Sequence, residues 1–259
     1  MFPKRQRVEF PGGQGQPISG RLDVPADAPV ACAVLAHCFT CTKDLKAATW
    51  ISRELVARRI AVLRFDFTGL GESAGDFADT NFTSNLADLV AAADFLRSSQ
   101  LPPRILIGHS LGGTAVLAAA SQIPEAGAVV VIAAPSQTAH LHEFLTKQAG
   151  PLDADATAEI DVMGRPIQIK GQLLDDLRRH DIEHHIATLG RPLLVFHSPD
   201  DDVVNIAHGE RIFQVAKHPK TFIALEGADH LLIAREADAR FVAEVIASWA
   251  ARYLAQSRA

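Results

Sequence analysis

The sequence has little of several features that define whole classes of protein. It holds 3 cysteines in 259 residues, and Cys32, Cys38 and Cys41 all lie within ten positions. This odd and clustered set excludes a disulfide framework and fits a reducing compartment. The longest hydrophobic runs, at residues 31–36 and 128–134, are far shorter than the roughly 20 residues of a membrane-spanning helix.

An excess of positive charge is missing as well. Lys and Arg number 25 against 30 Asp and Glu, and the most basic stretch is only residues 4–7. We therefore expect no binding to nucleic acid or to an anionic membrane. The first residues contain no apolar segment typical of a secretory signal, so a cytoplasmic location is expected. Histidine, with 11 residues against 2 Trp and 1 Tyr, offers candidates for chemistry near neutral pH.

What the sequence does contain is an alternation of short apolar runs with longer helical stretches. Strands are predicted at 7–10, 20–24, 31–37, 60–67, 104–108, 128–133, 192–197 and 221–225, and helices at 46–59, 84–97, 111–122, 207–216 and 235–254. The first two strands form an antiparallel pair, and the rest alternate with helices. This pattern predicts an α/β fold with a mainly parallel eight-stranded sheet and helices on both faces.

The alternation breaks between residues 136 and 189, which are richer in charge. Two short runs around Gly164, at 159–163 and 165–170, predict a β-hairpin, and a helix is predicted at 172–180. We interpret residues 1–259 as a single domain and residues 136–189 as a small lid inserted in it.

The most informative motif is Gly108-His109-Ser110-Leu111-Gly112. It lies between a buried strand and a helix of small residues, where the nucleophile elbow G-x-S-x-G belongs. In such a turn the serine hydroxyl stands free at a helix N-terminus, which favours developing negative charge. Ser110 is therefore the predicted nucleophile. The alternative is a glycine-rich turn in which the serine only caps a helix.

A serine hydroxyl needs a base to remove its proton, and the base needs an acid partner. In the chain order of this elbow motif the acid comes next and the histidine last. His230 follows the last predicted strand and is the predicted base. Asp200, Asp201 and Asp202 all follow the strand 192–197. Spacing favours Asp201, and the other two remain alternatives.

Acyl transfer also needs backbone N–H groups that stabilise an oxyanion. The N–H of Leu111 is one candidate, and the N–H of Phe39, in the loop after strand 31–37, is the other. Cys38 and Cys41 flank Phe39 with a C-x-x-C spacing, which elsewhere indicates redox chemistry or half of a zinc site. We interpret them as small, partly buried thiols, with a redox switch as the alternative.

Neither a cofactor nor a metal ion is predicted. His180 and His184 are expected to share one helix face at a separation of four residues, a spacing that can bind metal. The H-E-x-x-H pattern is missing, and the polar surface of the insert explains the pair. The loop Gly69-Leu70-Gly71 lacks the G-x-x-x-x-G-K-[ST] context of a phosphate cradle.

Together these motifs resemble those of the α/β-hydrolase superfamily. Residues 37–41, 64–71, 108–113 and 228–232 look like the hydrolase half of bacterial bifunctional α/β-hydrolase/OsmC proteins. The insert at 161–174 is similar to the small lid of bacterial carboxylesterases of the feruloyl/cinnamoyl esterase type. The resemblance implies an α/β-hydrolase fold and hydrolysis of short acyl or aryl esters.

The sequence therefore predicts a serine carboxylesterase with the catalytic residues Ser110, Asp201 and His230. Its expected partner is a small-molecule ester, and its oligomeric state stays open, with a homodimer among the alternatives. Peptidase-like or acyltransferase activity of the same residues is a second hypothesis. A third is a non-catalytic, redox-sensing interaction protein on a hydrolase scaffold.

Overall fold

The computed structural model of the chain describes residues 3–162 and 164–254, and an eight-stranded sheet lies at its centre. The strands of this sheet are β1 Lys4–Pro11, β2 Pro17–Val24, β3 Ala31–Ala36, β4 Ile60–Phe65, β5 Pro103–His109, β6 Ala128–Ile132, β9 Leu193–His197 and β10 Lys220–Ala224. A separate hairpin holds β7 Thr157–Val162 and β8 Arg165–Lys170.

The spatial order of the large sheet is β1-β2-β4-β3-β5-β6-β9-β10. The pairs β1–β2 and β2–β4 are antiparallel, and the remaining neighbours are parallel. The predicted fold class, α/β with a mainly parallel sheet, is confirmed.

Helices cover both faces of this sheet. They are α1 Lys46–Ala57, α2 Phe82–Ser98, α3 Leu111–Ala119, α4 Ala139–Ala149, α5 Gly171–Leu177, α6 Ile182–Ala187, α7 Ala207–Val215 and α8 Glu236–Leu254. One hydrophobic layer includes α1 and α8, and the other includes α2 and α3. In β3, Ala33 and Leu35 face the first layer while Val34 faces the second, which explains why this strand reads as a continuous apolar run.

The segment predicted as an insert contains α4, the β7–β8 hairpin, α5 and α6. The predicted hairpin is present and turns at Gly164, which adopts φ +80°; the predicted strand end at Met163 lies outside the described residues. The helix predicted at 172–180 ends at Leu177, so His180 and His184 do not share a helix face and that prediction is wrong. The reason is a new helix start, because the Asp181 side chain caps α6. The helices α4 and α6 were not predicted.

The parallel strands bring several loops to one edge of the sheet. The loops that follow β3, β5, β9 and β10 leave the carboxyl ends of four of the five adjacent strands β3, β5, β6, β9 and β10. Ligands of open α/β sheets bind at this edge. In the part of the chain that the structure describes, no helix is long and apolar enough to cross a membrane.

Candidate active site

Ser110 occupies a strained turn between β5 and α3. Its φ of +52° is in the left-handed region, which a non-glycine residue adopts only where its surroundings enforce it. A Cβ on Gly108 would overlap the backbone of Gly112, and a Cβ on Gly112 would overlap the carbonyl group of His37. The two glycines thus permit the close backbone contacts of this turn. The turn in this way separates the serine hydroxyl from the strand.

His230 connects this hydroxyl to a carboxylate. Its Nε2 lies 3.1 Å from Ser110 Oγ, and its Nδ1 lies 2.8 Å from Asp201 Oδ2. Because an ionised carboxylate only accepts, Nδ1–H donates to Asp201, and Nε2 is left to accept from the hydroxyl. All three side chains are buried, so the structure brings the three predicted residues together in one hydrogen-bonded line.

The second carboxylate oxygen of Asp201 is also occupied. Oδ1 accepts the backbone N–H groups of Val203 at 2.9 Å and Val204 at 2.8 Å. Burial acts to raise the pKa of Asp201, but the hydrogen bond and charge of His230, with these two N–H groups, lower it overall. Asp201 is therefore an ionised, fixed acceptor for the imidazole.

The two neighbouring aspartates lie elsewhere. Asp200 accepts the backbone N–H of Gly227 through Oδ2 at 2.9 Å. The exposed side chain of Asp202 lines the cavity in front of the serine. Of the three candidate acids, the structure places Asp201 against His230.

The two predicted oxyanion donors belong to different elements that meet at the same cavity. Leu111 is the first residue of α3, and Phe39 lies in the loop after β3; both line the cavity with Ser110. The loop is held at its start by His37, whose Nδ1 lies 2.8 Å from the carbonyl oxygen of Cys38. The Nε2 of the same ring accepts the N–H of Phe67 at 3.4 Å.

Cys38 and Cys41 are joined by a disulfide, so the interpretation of this pair as free thiols is wrong. The physical reason is the turn between them, in which Thr40 adopts φ +57° and the Cys41 N–H donates to the Cys38 carbonyl at 3.1 Å. Cys32 is free and buried, and burial raises the pKa of its thiol to about 12. The odd cysteine count thus consists of one local disulfide and one core residue.

A buried ion pair, which the sequence did not reveal, holds the far end of the same loop. Asp66 accepts the backbone N–H of Lys43 through Oδ1 at 2.6 Å, and its Oδ2 pairs with the ammonium group of Lys43. The guanidinium of Arg64 donates to the Lys43 carbonyl. All three side chains are almost fully buried, and buried charges persist only when they are paired.

A cavity of about 630 Å³ opens in front of Ser110. Its walls come from the insert and from the loops after β3, β9 and β10, and most of the lining side chains are apolar. They include Pro135, Leu141, Phe144, Val162, Val203 and Leu231. Besides Ser110 and His230, the polar lining residues are His140, Gln148, Asp161 and Asp202, and none of the described lining residues is Lys or Arg. A mostly apolar cavity with a few polar groups is typical of a small-molecule site.

His180 and His184 of the insert are not among the described residues that line this cavity. His180 Nε2 lies 3.3 Å from Asp176 Oδ2 and 3.0 Å from Thr83 Oγ1, which connects the insert to α2. Across residues 3–162 and 164–254, no group of three or more His, Cys, Asp or Glu side chains is placed to hold a metal ion.

Comparisons with known proteins agree with this architecture. The sequence model of the alpha/beta hydrolase family matches residues 33–245. The esterase domain of a Rhodothermus marinus protein is 47% identical, with a TM-score of 0.80 over 97% of this chain and 99% of that one. Est1E from Butyrivibrio proteoclasticus, solved with ferulic acid bound, is 20% identical, with a TM-score of 0.82 over 96% and 100% of the two chains.

A more distant curated relative is also an acyl-ester enzyme. The monoacylglycerol lipase of Mycolicibacterium smegmatis is 24% identical over 96% of this chain and 98% of its own length. At 20% identity the likeness to Est1E concerns the fold alone, whereas the Rhodothermus marinus domain, at 47%, is similar in sequence as well.

Proposed function

Because the chain belongs to the alpha/beta hydrolase family, we propose that it is a serine carboxylesterase that hydrolyses short-chain acyl or aryl esters. The observation that carries the proposal is the line of hydrogen bonds from Asp201 through His230 to Ser110, at 2.8 and 3.1 Å. This line ends in a cavity large enough for a small ester.

In the proposed reaction Ser110 Oγ attacks the ester carbonyl carbon while His230 Nε2 accepts the hydroxyl proton. Asp201 keeps Nδ1 protonated and stabilises the imidazolium. The N–H groups of Phe39 and Leu111 stabilise the oxyanion of the tetrahedral intermediate. His230 then delivers the proton to the leaving alcohol, and a water molecule hydrolyses the acyl-enzyme by the same steps.

The charges around the cavity support an uncharged substrate. The carboxylates of Asp161 and Asp202 line the cavity, and no described lining residue supplies a compensating Lys or Arg. A cavity lined by one sign of charge repels ligands of that sign. Esters with an anionic acyl or alcohol group are therefore expected to be poor substrates. The 47% identity with an esterase domain favours ester over amide hydrolysis.

The test is turnover of a p-nitrophenyl ester series from acetate to laurate by the wild-type protein and by Ser110→Ala. We expect a preference for short chains and a loss of at least ~10³-fold in kcat without the nucleophile. The matched control is Ser136→Ala, because Ser136 is also buried and its Oγ also meets a histidine, His208, at 3.0 Å. Unchanged turnover in Ser110→Ala would contradict the proposal.

A further inference from the structure

His109 is the last residue of β5 and directly precedes Ser110, yet the reaction above uses none of its atoms. The side chain is 6% exposed, and Nε2 lies 2.7 Å from the carbonyl oxygen of His230. A carbonyl oxygen only accepts, so Nε2 carries a hydrogen and His109 is the donor. The residue beside the nucleophile thus binds the backbone of the base.

His109 is suited to remain a neutral donor. Burial, followed by repulsion from His230, lowers the pKa of His109 to about 4, although the carboxylates of Asp201 and Asp229 act in the opposite direction. The two imidazole rings are 5.4 Å apart between centroids. A neutral donor at this distance leaves the imidazolium that forms at His230 without a second positive charge beside it.

Other hydrogen bonds shape the His230 loop without connecting it to the nucleophile. The Leu232 N–H donates to the Asp229 carbonyl at 3.0 Å, and the Asp229 carboxylate accepts the N–H groups of the next turn. On the acid side, the Gly227 N–H donates to Asp200. These contacts fix the shape of the loop and its distance from the loop after β9.

We propose that His109 is a positioning residue, which sets the distance between the base and the nucleophile by binding the backbone of His230. This inference rests on the proposed function. Proton transfer needs the two reacting heavy atoms within about 2.6–3.2 Å, and a displacement of about 1 Å costs on the order of 10²-fold in rate. The short link from β5 to the His230 carbonyl supplies that constraint on the nucleophile side.

The test compares His109→Leu, which removes the donor, with His109→Gln, whose side-chain amide retains an N–H at a similar reach. We expect His109→Leu to lose ~10- to 100-fold in kcat for p-nitrophenyl acetate, with KM within about 3-fold of wild type. His109→Gln is expected within about 5-fold of wild-type kcat. If the Leu variant does not fold, His109→Met gives the same comparison.

Ile107→Val is the matched control for loosened packing. Ile107 lies two residues earlier in β5 and lines the same small internal cavity as His109. Its shortening is expected to change kcat by less than about 2-fold, since it removes one methylene from the core and no hydrogen bond.

Wild-type kcat in His109→Leu would overturn the positioning role, as would equal losses in the Leu, Gln and Ile107→Val proteins. Failure of the proposed function has a different signature. In that case wild type itself would lack ester turnover, or Ser110→Ala would retain it, whatever the His109 variants do.

Discussion

The central sheet and the segment between β6 and β9 differ sharply in packing. Every residue of β3, β4, β6 and β9 is buried, whereas α4 buries only Leu141 and Leu145 of its 11 residues. Close-packed interiors transmit small displacements and resist them, while a half-exposed layer leaves room for a ligand. The sheet edge is therefore suited to hold reacting groups at fixed distances, and the insert is suited to set which substrates fit.

The strongest test that the sheet edge holds the reacting groups at fixed distances is Asp201→Asn. We expect kcat to fall by ~10³- to 10⁴-fold, because an amide can neither stabilise the imidazolium nor hold the required tautomer of His230. The measurement is steady-state hydrolysis of p-nitrophenyl acetate together with thermal unfolding. Asp200→Asn is the matched control and is expected within about 3-fold of wild type, since the amide oxygen still accepts the Gly227 N–H. Equal losses in both variants would break the assignment of Asp201.

A smaller effect is expected on the pH dependence of stability, which should differ between a histidine of the core and a histidine of the insert. Because burial lowers the pKa of His109 to about 4 from 6.5, the unfolded chain binds a proton between these pH values that the folded protein does not. Stability therefore falls as the pH drops from about 6.5 to about 4, by an upper bound on the order of 3 kcal/mol from this group. Denaturant unfolding of wild type and His109→Gln at several pH values measures it.

The wild-type curve should fall more steeply than that of His109→Gln in this window. His185 in α6 provides the comparison in the insert. Burial also lowers the pKa of His185, but its ring is only partly buried. His185→Gln is expected to flatten the curve less than His109→Gln. The reverse order would show that the insert, and not the sheet, carries the pH-sensitive packing.

The parts of the site that the sequence predicted are those encoded by local patterns. The elbow at Ser110 is a run of five residues next to an apolar strand, and His230 follows the last strand of the same alternation. The proposed acid needed more than a pattern, because three aspartates are adjacent. The structure places Asp201 against His230 and against the N–H groups of Val203 and Val204. This placement depends on the turn after β9.

The parts that were missed depend on contacts between distant residues or on backbone conformation. Asp66 and Lys43 are 23 positions apart, and the residues around each of them in the sequence do not indicate a buried ion pair. The disulfide follows from the left-handed turn at Thr40. The helices α4 and α6 each bury two residues, which is too weak a hydrophobic pattern to separate them from a polar loop.

Phe144→Ala tests whether the insert sets which substrates fit. Phe144 lies on α4, is 40% exposed and lines the cavity. We expect KM for p-nitrophenyl octanoate to rise ~5- to 10-fold, through lost apolar contact, while kcat for the acetate stays within about 2-fold. Phe241→Ala, on α8, is the matched control, because it removes a ring of similar exposure, 46%, remote from the cavity. An equal fall in kcat for all chain lengths would show that α4 supports the catalytic geometry instead.

The smallest effect is expected from the disulfide, although it flanks a proposed oxyanion donor. The loop that carries Phe39 is already fixed at both ends, by His37 on Phe67 and by the buried pair of Lys43 and Asp66. A bridge that closes only a few residues adds little further restraint.

Reduction with dithiothreitol is therefore expected to lower kcat by about 2- to 3-fold. The Cys38→Ala/Cys41→Ala protein should show the same reduced rate and no response to the reductant, while Cys32→Ala should respond as wild type does. A loss of more than ~10-fold would mean that the bridge, and not the buried ion pair, holds the donor in place. The geometry of the Phe39 loop would then depend on the redox state of a disulfide that lines the cavity. In that case the loop would resemble the half-exposed insert more than the close-packed sheet.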